Sequence, residues 1–335
     1  MTKLSEFEET FIPEFLVELK GFVNSYFTSS FHELNNIFQY HLGLNDPIGK
    51  QGKHIRPLLT LLCCAGTEKD WKTAIPAAIS IELIHNFSLI HDDIEDNGLI
   101  RRGKDTVWNK WGLPQALNAG DAMFTAAFSA LFALKKQTSE EITLDAAKLL
   151  TATCQRLTEG QYLDIDFEEQ SNVSREDYLK MIEGKTAALI SCSTRMGALT
   201  GGFSIQEQIK YEKFGEALGI AFQIYDDWLG IWGDAEFTGK SVTSDIVDQK
   251  KTLPIIIGLE NSSQFSCLFN KNEISEDQAI QMANQLKKDG IEELVITIYQ
   301  TWTEKAFLAL KNMDCNEDVR SSLNELTNKL LIRKK

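Results

Sequence analysis

The segment His91-Asp92-Asp93-Ile94-Glu95-Asp96-Asn97 places four acids within seven residues. Asp92 and Asp96 stand four apart, so on a helix they share one face. Two bare carboxylates there repel each other, and a divalent cation between them relieves the repulsion. Magnesium suits the pair, because it is commonly held by one or two carboxylates plus substrate phosphates. A solvated acidic face is the bland alternative. Phe87-Ser88-Leu89-Ile90 argues against it, being a largely apolar lead-in that reads as part of a buried helix. A calcium loop would need alternating ligands, a central glycine and a glutamate at position twelve. Gly98 is misplaced for that, and Lys104 falls roughly where the glutamate belongs.

A second pair lies 134 residues on (226 − 92), in Phe222-Gln223-Ile224-Tyr225-Asp226-Asp227-Trp228-Leu229-Gly230. It too follows an apolar run. The interval allows several helices to return the chain antiparallel, so that the two acid clusters would face each other across a bundle core. Helical bundles build their metal sites there.

Basic residues cluster near both pairs. Gly52-Lys53-His54-Ile55-Arg56-Pro57 sets two cations three apart, between a flexible glycine and a rigid proline. An ammonium and a guanidinium at this spacing can converge on one phosphate. Arg101-Arg102-Gly103 follows the first acids. Gly184-Lys185-Thr186 opens another apolar stretch, and Lys240 and Lys250-Lys251 follow the second acids. Each lysine alone reads as surface solubility. Together with the acids they suit a diphosphate–magnesium complex.

The elements that must position these groups are helical. Apolar residues recur at helical spacing almost throughout, and in Ile75 to His85 and Ala122 to Leu134 they fill most of the helix circumference, as buried helices do. No strict alternation bounded by turn residues appears, so no sheet is expected. Breaks are expected at Gly43 to Gly52, Gly66 to Lys69, Gly98 to Lys104, Trp111 to Pro114, Gly201-Gly202 and Gly233 to Gly239. With 6 prolines in 335 residues and no Pro/Ser-rich linker, the chain reads as one all-α domain, 1–335, of about ten or more helices.

A net charge of −14 argues against nucleic acid as the main partner. The 6 cysteines (Cys63, Cys64, Cys154, Cys192, Cys267, Cys315) form no C-x-x-C pair and no zinc spacing, and read as reduced and mostly buried. Met1 to Glu6 shows no charged-then-apolar leader, and no apolar run reaches the roughly 18 residues of a membrane span. A cytoplasmic protein without a transmembrane segment is therefore expected. The basic tail Ile332 to Lys335 reads as a frayed end.

In order and spacing, these motifs resemble the trans-isoprenyl diphosphate synthases (polyprenyl synthetases), and within them the geranylgeranyl diphosphate synthases. The likeness spans about residues 45 to 260: Gly-Lys-x-x-Arg-Pro at 52–57, Asp-Asp-x-x-Asp at 92–96, Arg-Arg-Gly at 101–103, Lys-Thr at 185–186, Gln-x-x-Asp-Asp at 223–227 and Gly-Lys at 239–240. The resemblance implies an all-helical fold around a central cavity, the isoprenoid synthase fold, in a homodimer. It implies head-to-tail condensation of isopentenyl diphosphate with dimethylallyl, geranyl or farnesyl diphosphate. Lys53, Arg56, His85 and Arg102 would hold isopentenyl diphosphate. Asp92, Asp96 and Asp226 would hold three magnesium ions, supported by Asp93 and Asp227. Arg101, Lys185 and Lys240 would grip the allylic diphosphate, with Lys250 also on the substrate. Thr186 and Gln223 would turn oxygens toward the allylic cation. The family's second motif usually ends in a third aspartate, where this chain has Gly230.

The growing product would run beside the first acidic helix. One isoprene unit is about one helical turn long, roughly 5 Å. Phe87, five residues before Asp92, is a candidate floor, and an aromatic there implies a C20 product by the same resemblance. A C15 or C25 and longer product is the near alternative. A class I terpene cyclase would normally lack the Gly-Lys-x-x-Arg-Pro site. A di-iron bundle needs two Glu-x-x-His motifs, of which only Glu82 to His85 offers one. A non-catalytic synthase subunit should have lost acids from a cluster, and the first cluster is intact.

Overall fold

The computed structural model describes residues 2–27, 29–45, 52–67, 69–170, 172–233, 243–269 and 274–331. Its contacts divide into two compact units. The first holds 1–152, 192–211 and 313–323, and the second 153–191, 212–312 and 324–335.

In the first unit lie α1 (Lys3–Tyr26), α2 (His32–Leu42), α3 (Ile55–Ala65), α4 (Ile75–Glu95), α5 (Val107–Trp111) and α6 (Leu113–Phe132). The first part of α7 (Glu140–Glu169) and most of α9 (Ala188–Gly201) join them. Helix α4 begins with Pro76 in its first turn, where the missing N–H costs nothing. It then buries Ile79, Ile81, Leu83, Ile84 and Ile90. Each such side chain contributes about 1.5–3 kcal/mol, so the helix that carries the first acids is held on most sides.

The second unit contains the rest of α7, α8 (Arg175–Ile182), most of α10 (Ile205–Trp232), α11 (Ser244–Val247), α12 (Leu253–Asn261), α13 (Ser263–Phe269), α14 (Glu276–Lys288) and α15 (Ile291–Asn312). Tyr178, Ile224, Ile255, Ile257, Phe265 and Leu286 form its core.

Three expected breaks end helices in left-handed or irregular backbone, at Gly43 (φ 70°), Gly112 (φ 81°) and Gly202 (φ 84°). The Gly233 to Gly239 break lies almost wholly outside the described residues. Two expectations need correcting. A two-residue antiparallel ladder pairs Ile100 with Asp105 and Arg101 with Lys104, where no strand was expected. Strands that short cannot display an alternation. Moreover, residues 71–95 and 113–136 are long and apolar enough to cross a bilayer, although 67% and 44% of their most apolar windows are buried. Continuous runs of uncharged residues understate them, because a span tolerates one or two charges.

Candidate active site

Helix α4 carries two different functional groups along its length. Glu82 and His85 serve a basic pocket, and Asp92 and Asp93 stand about two turns further on. Lys53, Arg56, His85 and Arg102 line one cavity of about 490 Å³, together with His54 and Glu82. Sequence spacing linked only Lys53 and Arg56. Arg56 donates through Nη1 to His85 Nε2 at 3.1 Å. A guanidinium only donates, so His85 must accept there as a neutral ring protonated on Nδ1. Burial holds the His85 pKa well below its ordinary value, and Arg56 and Arg102 reinforce this. Burial also pushes Arg56 down to about 10, which leaves it charged at neutral pH.

The loop that presents Lys53 and leads into α3, which carries Arg56 in its first turn, is pinned from α4. His54 takes the left-handed φ of 45°, unusual for a side chain with a Cβ. Its Nδ1 lies 3.0 Å from Glu82 Oε1, and Asn86 Nδ2 donates to the same carboxylate at 3.2 Å. Glu82 is 3% exposed. Burial opposes its charge, yet His54, Arg56 and Asn86 together hold its pKa below the usual range. Sequence reasoning missed Glu82 as part of this site. Its one signal was a carboxylate inside an otherwise apolar helix.

The first acids close α4. The Asp96 N–H donates to the Asp92 carbonyl at 2.8 Å, so the two are one turn apart as expected. Asp92 is half-buried and Asp96 exposed. Asp93 turns inward, at 4% exposure. Arg101 Nε donates to its Oδ1 at 2.7 Å, while its buried Oδ2 has no hydrogen-bond partner among the described residues. Burial pushes the Asp93 pKa up. The hairpin turn explains why adjacent arginines diverge. Arg102 (φ 53°) and Gly103 (φ 74°) both take positive φ, as a two-residue turn between twisted strands requires. Arg101 then serves Asp93 and Arg102 serves the pocket. Phe87 meets the rings of His91 and Phe124 edge-on, each 5.1 Å away.

In the second unit Lys185 and Thr186 sit in a π-helical turn, Glu183–Ala187, between α8 and α9. Such turns are rare and gather at functional sites. Gly160 and Gly184 allow it to lie backbone against backbone on α7, since a Cβ at Gly160 would fall 2.1 Å from the Lys185 nitrogen. Lys185 pairs with Asp164 of α7, another residue the motifs did not single out. Thr186 Oγ1 donates to Gln223 Oε1 at 2.7 Å, and Gln223 Nε2 donates to Asp227 Oδ1 at 2.9 Å. Asp227 Oδ2 accepts from the Tyr178 hydroxyl at 2.6 Å and the Leu253 N–H at 3.0 Å. Burial drives the Asp227 pKa up to about 7, against these donors. Asp226 is half-buried beside it. Lys250, also half-buried, donates its backbone N–H to the Asp245 carbonyl at 3.0 Å. Lys240 lies outside the described residues.

Among the described residues, no three His, Cys, Asp or Glu side chains converge to hold a cation unaided. The donors are carboxylates, with a buried orphan oxygen on Asp93. They fit a hard cation that takes its remaining ligands from phosphate and water.

Residues 35–289 match the family model described as polyprenyl synthetase. The chain belongs to the polyprenyl synthetase family. It is 45% identical over 213 residues to a short chain isoprenyl diphosphate synthase of Methanothermobacter thermautotrophicus, covering 64% of this chain and 65% of that one. It is 41% identical over 232 residues to a (2E,6E)-farnesyl diphosphate synthase of Mycobacterium tuberculosis, covering 65% and 61%. The matches thus span less than two thirds of these relatives' lengths. Among solved structures, a geranylgeranyl pyrophosphate synthetase from Pyrococcus horikoshii superposes with a TM-score of 0.89 at 30% identity, over 99% of this polyprenyl synthetase and 98% of the other chain. A polyprenyl synthase from Caulobacter crescentus, complexed with calcium and isoprenyl diphosphate, gives 0.83 at 25% identity, over 99% and 98%. The fold is all-α, the isoprenoid synthase fold.

Proposed function

We propose that this polyprenyl synthetase is a prenyltransferase that condenses isopentenyl diphosphate head to tail with an allylic diphosphate. The product is an all-trans polyprenyl diphosphate, of C20 length. The observation that carries the reading is the composition of the cavity at Lys53, Arg56, His85 and Arg102. It is an anion pocket made of cations and a neutral imidazole, on the same helix as a carboxylate cluster suited to a metal. A reaction with two diphosphates, only one of them bound through metal, needs both kinds of site.

Lys53 and the two arginines would neutralise the isopentenyl diphosphate, and the neutral His85 would orient Arg56. Asp92, Asp96 and Asp226, supported by Asp93 and Asp227, would hold three magnesium ions, whose chemistry is Lewis-acid stabilisation of the departing diphosphate. Arg101, Lys185 and Lys240 would bind that diphosphate, Arg101 leaving Asp93 and Lys185 leaving Asp164. Thr186 and Gln223, already joined by a hydrogen bond, would offer oxygen lone pairs to the allylic cation. The isopentenyl double bond attacks that cation, and the released diphosphate accepts the proton. We read both compact units as parts of one domain, since the family match runs through both.

Phe87, backed by Phe124, would set the floor for a C20 chain. A C15 product is the second reading, favoured by the identity to the farnesyl diphosphate synthase. Exposed Leu113, Leu117 and Phe132 on α6 support a homodimer. The cysteine usage supports a cytoplasmic location. The test is incubation with magnesium, isopentenyl diphosphate and each of dimethylallyl, geranyl and farnesyl diphosphate, followed by product sizing. A C20 product from at least one starter is expected. No condensation with any starter overturns the reaction, and a C15 end point overturns the chain length.

A further inference from the structure

We propose that Tyr178 is a further positioning residue of the reaction, which acts through Asp227 and Gln223 to set the direction in which Thr186 presents its oxygen. The proposal rests on the reading that Thr186 offers that oxygen to the allylic cation.

Four side chains of the second unit form one chain of hydrogen bonds. The Tyr178 hydroxyl donates to Asp227 Oδ2 at 2.6 Å. Gln223 Nε2 donates to Asp227 Oδ1 at 2.9 Å, and Thr186 Oγ1 donates to Gln223 Oε1 at 2.7 Å. The links come from three elements. Tyr178 lies on α8, and Thr186 belongs to the π-helical turn. Gln223 and Asp227 stand four apart on α10 and so share a face. The turn lies directly against α10 here. A Cβ at Gly219, one turn before Gln223, would fall 2.6 Å from Ala187 Cα.

Hydrogen-bonding capacity fixes the sense of every link. By shape alone the Gln223 amide could turn either end toward Asp227. An ionised carboxylate only accepts, so the Nε2 end must face it and Oε1 must face Thr186. An amide oxygen also only accepts, so Thr186 must direct its one hydrogen there. Its lone pairs are left for a ligand. With the amide reversed, Thr186 would accept from an N–H and could turn its hydrogen outward, the wrong pole for a developing cation.

Tyr178 secures the carboxylate at the head of this chain. Asp227 is 4% exposed and Tyr178 0%. A buried carboxylate is costly unless donors meet it. Two donors meet Oδ2, the Tyr178 hydroxyl and the Leu253 N–H, the latter at 3.0 Å. The Tyr178 ring belongs to the core of this unit, so its hydroxyl has little freedom to point elsewhere. Bonds in such a chain polarise one another, so loss of the first loosens the last.

The test is steady-state kinetics at saturating magnesium on Tyr178→Phe, Thr186→Val and the double variant, with thermal unfolding to follow the fold. Tyr178→Phe keeps the ring and removes one oxygen. It should lower kcat about ten-fold, the scale of one hydrogen bond to a charged group. KM for isopentenyl diphosphate and for the allylic diphosphate should each stay within about two-fold of the parent, since neither diphosphate meets this chain. In the Thr186→Val background the same change should alter kcat by less than about two-fold, because the chain has already lost its far end.

A parent-like kcat in Tyr178→Phe overturns the proposal. So does a ten-fold loss repeated in the Thr186→Val background, which would mean that Tyr178 acts by another route. A KM that rises as far as kcat falls overturns it too, as does a Tyr178→Phe protein that does not fold, since the hydroxyl would then serve the fold alone. A parent-like kcat in Thr186→Val is a different failure. It brings down the reading of Thr186, and this proposal with it, whereas a slow Thr186→Val beside a normal Tyr178→Phe brings down this proposal alone.

Discussion

The two Asp-Asp pairs look alike in sequence and are built differently. In each, the first residue is half-buried and the second turns inward to 4% exposure. Asp93 meets one guanidinium, from Arg101, and keeps a buried oxygen without a hydrogen-bond partner among the described residues. Asp227 spends both oxygens on Tyr178, Gln223 and the Leu253 N–H. In the Lys53–Arg56 pocket, Arg56 Nε and His54 Nε2 are also buried without hydrogen-bond partners among the described residues, as is Thr252 Oγ1 beside Leu253 in the second unit. Near Asp227, Thr186 is tied to Gln223 and Gln223 to Asp227. A buried polar group left unmatched costs about 1–3 kcal/mol. The Asp93 carboxylate therefore has an oxygen open to a further ligand, while the Asp227 carboxylate is satisfied beforehand and holds Gln223, which accepts from Thr186.

The sharpest way to break this contrast is to make the same substitution in both pairs. Asp93→Asn should leave the melting temperature within a few degrees and lower kcat by roughly 10²-fold, since it alters charge at the proposed metal and phosphate site. Asp227→Asn sets an amide N–H₂ against groups that already donate. It should cost about 2–3 kcal/mol of stability, as for a buried group left unsatisfied. Thermal unfolding and steady-state kinetics on both variants check it. Equal effects on stability would erase the distinction.

That distinction could not be read from the chain. The motifs singled out Asp92, Asp96, Asp226 and the Lys53–Arg56 pair as candidates, because spacings of three or four residues are local geometry. The all-α class was equally legible, from helical periodicity. The partners were not. Glu82 reaches His54 across 28 residues, Tyr178 reaches Asp227 across 49, and Asp164 reaches Lys185 across 21. Only the folded chain sets those separations. The π-turn at Glu183–Ala187 was hidden for another reason, since one added residue in a helical ring leaves the apolar pattern almost unchanged.

Smaller effects should separate the anion pocket from the acids. Arg56→Ala removes a charge-assisted contact of about 1.5–3 kcal/mol, so KM for isopentenyl diphosphate should rise roughly 10–100-fold. KM for the allylic substrate should stay near the parent value. Glu82→Gln keeps an acceptor for His54 but drops the charge that faces Arg56. The same KM should rise several-fold, about 1 kcal/mol, without change in metal dependence. A parallel rise in both KM values would show that the pocket does not discriminate between the substrates.

Phe87→Ala bears on product rather than rate. It removes a ring that meets His91 and Phe124, and leaves the Phe124–Phe128 contact, 5.3 Å between centroids, intact. The product should lengthen by about one isoprene unit, since one turn of helix matches one unit. Unchanged chain length by chromatography would remove Phe87 from the floor.

The smallest effect concerns acid, and it belongs to the first region. His41 closes α2 with its Nε2 buried and without a partner among the described residues. Burial pushes its pKa down to about 3, and Arg102 and Arg101 add to the shift. In the unfolded chain a histidine titrates near 6.5. The folded protein therefore resists protonation that the unfolded chain accepts. Stability from this group is complete above about pH 6.5 and is lost as the pH falls toward 3, at up to about 1.4 kcal/mol per pH unit for one proton. His85 is depressed by the same causes and contributes in the same direction. His41→Gln should lessen the loss of stability between pH 6.5 and 4 without abolishing it, as measured by urea midpoints across that range. An unchanged acid slope would mean that His41 gains a compensating partner when protonated, and that this part of the first region tolerates a charge after all.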